Sequence, residues 1–251
     1  MMDDRDLLRY SRHILLDEID ISGQEKFLAA TVLVIGCGGL ASAALPYLAA
    51  AGVGRLILAD DDTVSESNLQ RQILFTEQDL DEPKVVAAAE RLQALNSRTQ
   101  VVALEGRLKE AELLEWAQQA DVIVDCCDNF ATRLAVNKAS VATKTPLVSG
   151  AAVRFAGQLA LYRPDKQDAA CYACLFDGEE ADDGACALFG VFAPLVGIVG
   201  AAQAELALKV IAGIGEAVHN RLAVYDALSS SWQYFGLDRR ADCPVCGEGQ
   251  K

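Results

Sequence analysis

The sequence is poor in positive charge. Its 22 Lys and Arg face 36 Asp and Glu, a formal net charge of −14. That balance argues against nucleic acid or an anionic membrane as a partner, because both would be repelled. It still permits a local basic patch, which a phosphate-binding site would need. An apolar leader is missing too: the first residues, MMDDRDLLRYSRH, carry no signal core, so no secretory peptide is expected. Long apolar runs are scarce. Stretches 31–35 and 42–59 are interrupted by glycine or charge, and the longest run poor in charge, ALFGVFAPLVGIVGAAQA (187–204), holds Pro194 and glycines at 190, 197 and 200. It reads as a buried core segment and not as a membrane span, and a cytoplasmic protein is expected. Histidine is nearly absent, and both copies, His13 and His219, lie outside the expected ligand-binding edge of the sheet. No internal repeat and no clear linker divides the chain. With 251 residues and 52% hydrophobic content, one packed domain is expected, long enough for a single large α/β core.

The chain is organised around residues 31–62, TVLVIGCGGLASAALPYLAAAGVGRLILADDD. A β-branched apolar run meets Gly36, Gly38 and Gly39. An alanine-rich helical stretch follows, then a second apolar run ending in three aspartates. This strand–turn–helix–strand pattern is Rossmann-like and marks a nucleotide-binding unit. The glycines let a backbone approach phosphates, and the helix amino-terminus adds partial positive charge. Ala41 fills the third-glycine position, which the fingerprint tolerates. Asp60, at the end of the second strand, is placed to accept bonds from ribose hydroxyls. Asp60, Asp61 and Asp62 would repel one another without a role or a cation.

Around this unit the residues predict an α/β alternation. A helical amino-terminus spans 3–16, with Arg9 and Arg12 on one face, and a short helix opens at Gly23. Residues 63–84 form a polar loop with a short helix, and Pro83 starts a helix at its first turn. Strands are expected at 101–104, 121–128 and 146–153, with helices at 109–119 and 130–143. From residue 154 the pattern turns antiparallel: a strand, RFAGQLALYR, an apolar helix after Pro194, and a hairpin in RLAVYDALSSSWQYFGL. The expected fold is α/β: a mostly parallel central sheet flanked by helices, with an antiparallel carboxyl-terminal part. Residues 1–153 would form the nucleotide part and 154–251 the remainder.

Arg71 and Lys84 are cations near the proposed phosphate site, suited to a polyphosphate and a leaving pyrophosphate. On composition alone a solvated charged loop reads equally well. Asp128 directly follows an apolar strand, and magnesium on a nucleotide takes one or two carboxylates plus phosphate oxygens. Asp128 is the first choice for that ion. Asp125 is the second, and reads better as a structural hydrogen-bond acceptor.

Eight cysteines are present. Cys171 with Cys174 and Cys243 with Cys246 make two CxxC pairs, which together close a tetrahedral zinc shell. The alternative, redox-active CxxC, lacks a preceding thioredoxin-like strand. A closed four-thiolate shell has a structural role, so zinc loss should destabilise the fold without directly altering chemistry. Cys186 stands beside an acidic loop whose carboxylates raise a thiol pKa, which favours a bland role. Cys37, Cys126 and Cys127 read as core or turn residues.

Taken together, GCGGLA, the segment from Asp60 to Gln72 ending in SNLQRQ, the pair Pro83 and Lys84, DCCDN (125–129) and the paired CxxC motifs resemble the MoeB/ThiF/HesA adenylyltransferases, relatives of the ubiquitin-activating enzymes. The likeness runs from RYSRH at 9–13 to the final CPVC. It implies an enzyme that uses ATP and Mg2+ to adenylylate the Gly-Gly carboxyl terminus of a ubiquitin-like sulfur carrier protein, of MoaD or ThiS type, with release of pyrophosphate. It implies that Gly39, Ser67, Asn68, Leu69, Gln70, Arg71, Lys84 and Asn129 surround ATP, that Asp60 holds the ribose and that Asp128 holds magnesium. It further implies a homodimer in which Arg12 reaches the partner's phosphate site, and zinc on the four CxxC cysteines. Cys186 matches a cysteine that some members use for a persulfide or acyl-disulfide link to the carrier. Two departures stand out: Ala41 replaces the usual glycine, and ALFG follows Cys186 where polar residues are usual. A separate sulfur donor, such as a cysteine desulfurase, is expected, and not a fused sulfurtransferase domain after Cys246. Two other readings compete: an NAD-dependent oxidoreductase, and a non-catalytic, zinc-stabilised nucleotide-binding module.

Overall fold

The computed structural model of this protein describes residues 2–176, 189–215 and 219–247. The apolar run before the glycines forms β1 (Thr31–Ile35). Its neighbours are β2 (Arg55–Asp60), β3 (Gln100–Glu105), β4 (Val122–Asp125) and β5 (Leu147–Val153). All five run parallel. β6 (Ala156–Tyr162), β7 (Arg221–Asp226) and β8 (Ser231–Gly236) then add antiparallel strands, giving the order β3-β2-β1-β4-β5-β6-β7-β8.

Strand alternation divides the interior into two cores. Val32, Val34, Leu56, Leu58, Val122 and Val124 face one. Leu33, Ile35, Ile57, Ala59 and Ile123 face the other. Strands buried on both faces need continuous apolar runs, which is why β1, β2 and β4 lack polar alternation. Each fully buried Leu or Ile among them contributes roughly 1.5–3 kcal/mol.

The first core is covered by α4 (Gly39–Ala51), α6 (Lys84–Leu95) and α10 (Ala193–Ala212). A Cβ on Gly200 would lie 2.1 Å from the Leu40 carbonyl oxygen, so α10 crosses α4 at backbone contact. α10 is long and apolar enough to cross a membrane by length and composition, yet Leu195, Val196 and Val199 on one side of it are packed into this core. The second core is covered by α7 (Glu110–Gln118), α8 (Phe130–Thr143) and the short α9 (Tyr172–Leu175).

Several boundaries differ from the sequence reading. The amino-terminal helix breaks at Tyr10 into α1 (Asp4–Arg9) and α2 (Ser11–Ile14), because the Tyr10 ring turns inward over Gly52 and its hydroxyl accepts a bond from Asn96 Nδ2 at 3.0 Å. Arg9 is drawn to the Leu95 carbonyl (3.2 Å), whereas Arg12 stays exposed. The next helix, α3 (Asp20–Ala29), starts three residues before Gly23, at an Asp20 that caps Ser22 with its own carboxylate. Pro83 is the amino-terminal cap of α6 and not its first residue. The strand expected over 121–128 ends at Asp125. Residues 63–84 form a loop as expected, carrying α5 (Glu66–Leu69) and one 3-10 turn.

Candidate functional site

Open parallel sheets bind ligands beyond the carboxyl ends of their strands, where the strand order reverses. Here the reversal lies between β1, which leads outward to β2 and β3, and β4, which leads to β5. A cleft of about 740 Å3 opens at that point.

One wall is the glycine turn. Gly36 has φ +89°, and a Cβ there would meet the Cys126 carbonyl at 2.9 Å. Both facts demand glycine. Gly38 caps α4 without a side-chain acceptor, an arrangement in which the first N–H groups of α4 can serve an anionic ligand. Asp60 ties this turn to the end of β2. Its Oδ2 accepts the Cys37 N–H at 2.5 Å and its Oδ1 accepts the Asp62 N–H at 2.8 Å. Burial pushes the Asp60 pKa up, opposed by those two N–H donors and by Lys84. The three aspartates take separate partners, backbone for Asp60, Arg107 for Asp61 (3.5 Å) and Lys84 for Asp62 (2.8 Å), which offsets the repulsion that Asp62 still exerts on Asp60. Lys84 is buried while Asp62 is exposed, so the ammonium reaches the cleft from below.

The opposite wall is the link from β4 to α8. Asp128 is exposed at the rim. Asn129 caps α8, accepting the Thr132 N–H at 2.9 Å through Oδ1 and leaving its amide nitrogen free of that cap. Asp125, the second choice for magnesium, is only 1% exposed and ion-paired with Arg133 at 3.2 Å. It is a structural acceptor.

Of the expected nucleotide residues, the structure brings Gly39, Asp60, Arg71, Lys84, Asp128 and Asn129 to this one cleft. Ser67, Asn68, Leu69 and Gln70 do not line it. They sit on or just after α5, joined to the site by Arg71, whose Nη1 donates to the Ser67 carbonyl at 3.1 Å. Arg12 lies away on α2. Cys186 lies outside the described residues.

Gln72, Arg107, Arg133, Gln158 and Tyr172 also line the cleft; sequence reasoning left Gln72, in the polar loop, without a role and missed the other four. Gln72 is 4% exposed and its Oε1 has no partner. Its position directly after Arg71 was the available signal. Cys37, Cys126 and Cys127 are buried, and burial pushes their thiols far up in pKa, away from reactivity.

The four CxxC cysteines meet at the far end of the second core. Sγ separations are 3.7 Å for Cys171–Cys243, 3.4 Å for Cys174–Cys246 and 4.0 Å for Cys171–Cys174. Zinc with Zn–S bonds of about 2.3 Å spaces tetrahedral sulfurs about 3.8 Å apart, so the set fits that ion. Asn137 Nδ2 and the Arg240 N–H each point at a sulfur from 3.5 Å, as donors to thiolate would. Four sulfurs leave no open position.

The comparisons with known proteins agree with this architecture. The ThiF family model matches residues 10–245. The chain is 48% identical over 246 residues to the sulfur carrier protein ThiS adenylyltransferase of Escherichia coli K12, covering 98% of this chain and 97% of that protein. It is 41% identical over 249 residues to the molybdopterin-synthase adenylyltransferase of the same organism, covering 98% and 99%. Among solved structures, E. coli MccB with ATP superposes with a TM-score of 0.82 at 26% identity, covering 95% of this chain and 73% of that one. A match spanning nearly the whole chain places this protein in the ThiF family.

Proposed function

We propose that the protein adenylylates the carboxyl-terminal Gly-Gly of a ubiquitin-like sulfur carrier protein, of ThiS or MoaD type, using ATP and releasing pyrophosphate. One observation carries this reading. The uncapped amino-terminus of α4, Asp60, Arg71, Lys84 and Asp128 converge on a single cleft, and that cleft continues past the small residues Ala151, Ala152 and Ala156 of β5 and β6. The first part suits a nucleoside triphosphate and the second an extended, side-chain-free peptide tail.

In this reading the phosphates lie over the α4 amino-terminus, Asp60 takes the ribose hydroxyls, Asn129 completes the cleft's side of the nucleotide, and Ser67 to Gln70 stand behind Arg71 as the next layer out. A phosphate replaces Asp62 as the partner of Lys84. Asp128 would hold Mg2+, which supplies charge neutralisation at the phosphates. A carboxylate oxygen of the carrier attacks the α-phosphorus. The bond from that phosphorus to the bridging oxygen breaks, and its electron pair leaves with pyrophosphate. The attacking carboxylate is already ionised, so no base is needed. Rate enhancement then comes from alignment and from cations facing the developing charge.

The same reading assigns the chain to one domain, with ATP held by 1–153 and the carrier and zinc by 154–251. It makes the protein a cytoplasmic homodimer in which Arg12 reaches the partner's phosphates. Support comes from the α1–α3 surface around Arg12, where Leu8 is 79% and Leu15 71% exposed. Exposed leucines on this surface suit cover by a second copy. Sulfur would come from a separate donor such as a cysteine desulfurase, and Cys186 is the residue available for a link to the carrier. Zinc on Cys171, Cys174, Cys243 and Cys246 would tie the carboxyl tail to the body. The net charge of −14 disfavours membrane and nucleic acid as partners. The NAD-dependent alternative finds no histidine in the cleft: neither His13 nor His219 lines it.

The test is exchange of pyrophosphate into ATP, run with a ThiS-type and a MoaD-type carrier in turn. Exchange should depend on the carrier, and Asp128→Ala should lower it by about 100-fold or more. ATP binding without exchange on either carrier would leave the non-catalytic nucleotide-binding module as the answer.

A further inference from the structure

We infer that Arg133 is a positioning residue for Asp128: with Asp125 and Ser149 it clamps the peptide from which the Asp128 carboxylate enters the cleft. This rests on the proposed role of Asp128. Burying a guanidinium is expensive unless it is paired and hydrogen-bonded, and this one is 8% exposed. Its Nη2 donates to the Cys127 carbonyl at 2.5 Å, and its Nη1 donates to Asp125 Oδ2 and Ser149 Oγ, both at 3.2 Å. Ser149 in turn donates to Asp125 Oδ2 at 3.0 Å, and Asp125 Oδ1 accepts the Cys127 N–H at 3.1 Å.

The consequence is specific. Both polar groups of the Cys127 backbone are fixed by one ion pair, the N–H by Asp125 and the carbonyl by Arg133. The preceding residues are pinned as well. The Cys126 N–H continues the β1 ladder to the Ile35 carbonyl at 2.8 Å, and Gln203 Nε2 holds the Asp125 carbonyl at 2.7 Å. The next residue, Asp128, is exposed on this rigid base. Groups that orient a metal-binding carboxylate commonly matter about 10- to 100-fold for metal affinity or activity.

The experiment compares wild type with Arg133→Lys and Ser149→Ala. Four quantities are measured: melting temperature, exchange kcat and KM for ATP, the Mg2+ concentration for half-maximal exchange, and calorimetric ATP affinity with and without Mg2+. Arg133→Lys keeps the charge but cannot bridge three acceptors in a plane. It should lower kcat by about 10- to 100-fold and raise the Mg2+ requirement by about 10-fold, with metal-free ATP affinity changed less than about 2-fold. Ser149→Ala should show the same pattern at about 3- to 10-fold. A lowered melting temperature with wild-type kcat and Mg2+ requirement in both variants would overturn the inference. So would equal loss of metal-free and Mg2+-loaded ATP affinity. If Arg133→Lys fails to fold, a wild-type Ser149→Ala decides against the clamp. If wild type itself gives no carrier-dependent exchange, the proposed function fails, and the two calorimetric affinities still report on the clamp.

Discussion

The two ends of this molecule are held together by different means. At the nucleotide end, position is set by main chain: a glycine turn at φ +89°, N–H groups on Asp60, and carbonyls and amides gripped by Asp125 and Arg133. The residues that meet there are each a short step along the chain from a strand end. At the cysteine end, position is set by four sulfurs from two segments 72 residues apart. The first site is thus built into the parallel sheet, whereas the second is a tie placed on it. The two are not insulated. Tyr172, between two of the cysteines, lines the cleft and packs against Phe130, the first residue of α8, with ring centres 5.9 Å apart. Asn137 of α8 bonds both the Tyr172 N–H (2.8 Å) and the Cys171 sulfur (3.5 Å).

The comparison breaks most visibly at the cysteines. Structural zinc contributes on the order of 10 kcal/mol of apparent binding energy in small domains, and here it would anchor a tail with few other buried contacts. Cys243→Ser should lower the melting temperature by more than about 10 °C with loss of bound zinc. Because Tyr172 is a wall of the cleft, ATP affinity should fall as well; unchanged ATP affinity would instead favour a metal whose loss spares the chemistry. Unchanged melting after complete zinc removal would show that the cluster is no tie.

Gly36→Ala tests the other end. It forces a side chain into φ +89° and places a Cβ 2.9 Å from the Cys126 carbonyl. The combined cost should be about 2–4 kcal/mol, with loss of ATP binding and full zinc content. Simultaneous loss of zinc would mean that the two ends fold as one unit.

The same contrast explains what could be read from the chain beforehand. The β1–turn–α4–β2 unit was legible because its signals are local: apolar strands, punctuating glycines and a terminal aspartate. The paired CxxC motifs were legible because thiolates at that spacing have few other uses. Arg133 was not, since a charged residue in the first turns of an amphipathic helix reads as solvated until Asp125 and Ser149 are brought beside it. The break at Tyr10 was hidden for a similar reason: it depends on Gly52 and Asn96, both distant in sequence. Gln72 lay inside a recognised segment, but only its burial singles it out.

The smallest effect concerns Asp60, which joins the glycine turn to β2. Burial raises its pKa in the folded protein above the ordinary 3.8. The folded state therefore holds the proton more tightly than the unfolded chain does. As pH rises from below 3.8 through the folded value, the unfolded carboxylate ionises first, and the contribution of Asp60 to stability falls. The sign is opposite to that of a salt-bridged carboxylate. Urea unfolding of wild type and Asp60→Asn should show the difference in unfolding free energy shifting toward wild type as pH is lowered across that window, by about 1 kcal/mol or less. The asparagine also loses one of the two acceptors that hold Cys37 and Asp62, a pH-independent offset that the slope ignores. A difference that stays flat across the window would mean that the backbone donors cancel burial at this carboxylate, and one that grows with pH that they outweigh it. The nucleotide end would then be stabilised by charge as well as by main chain.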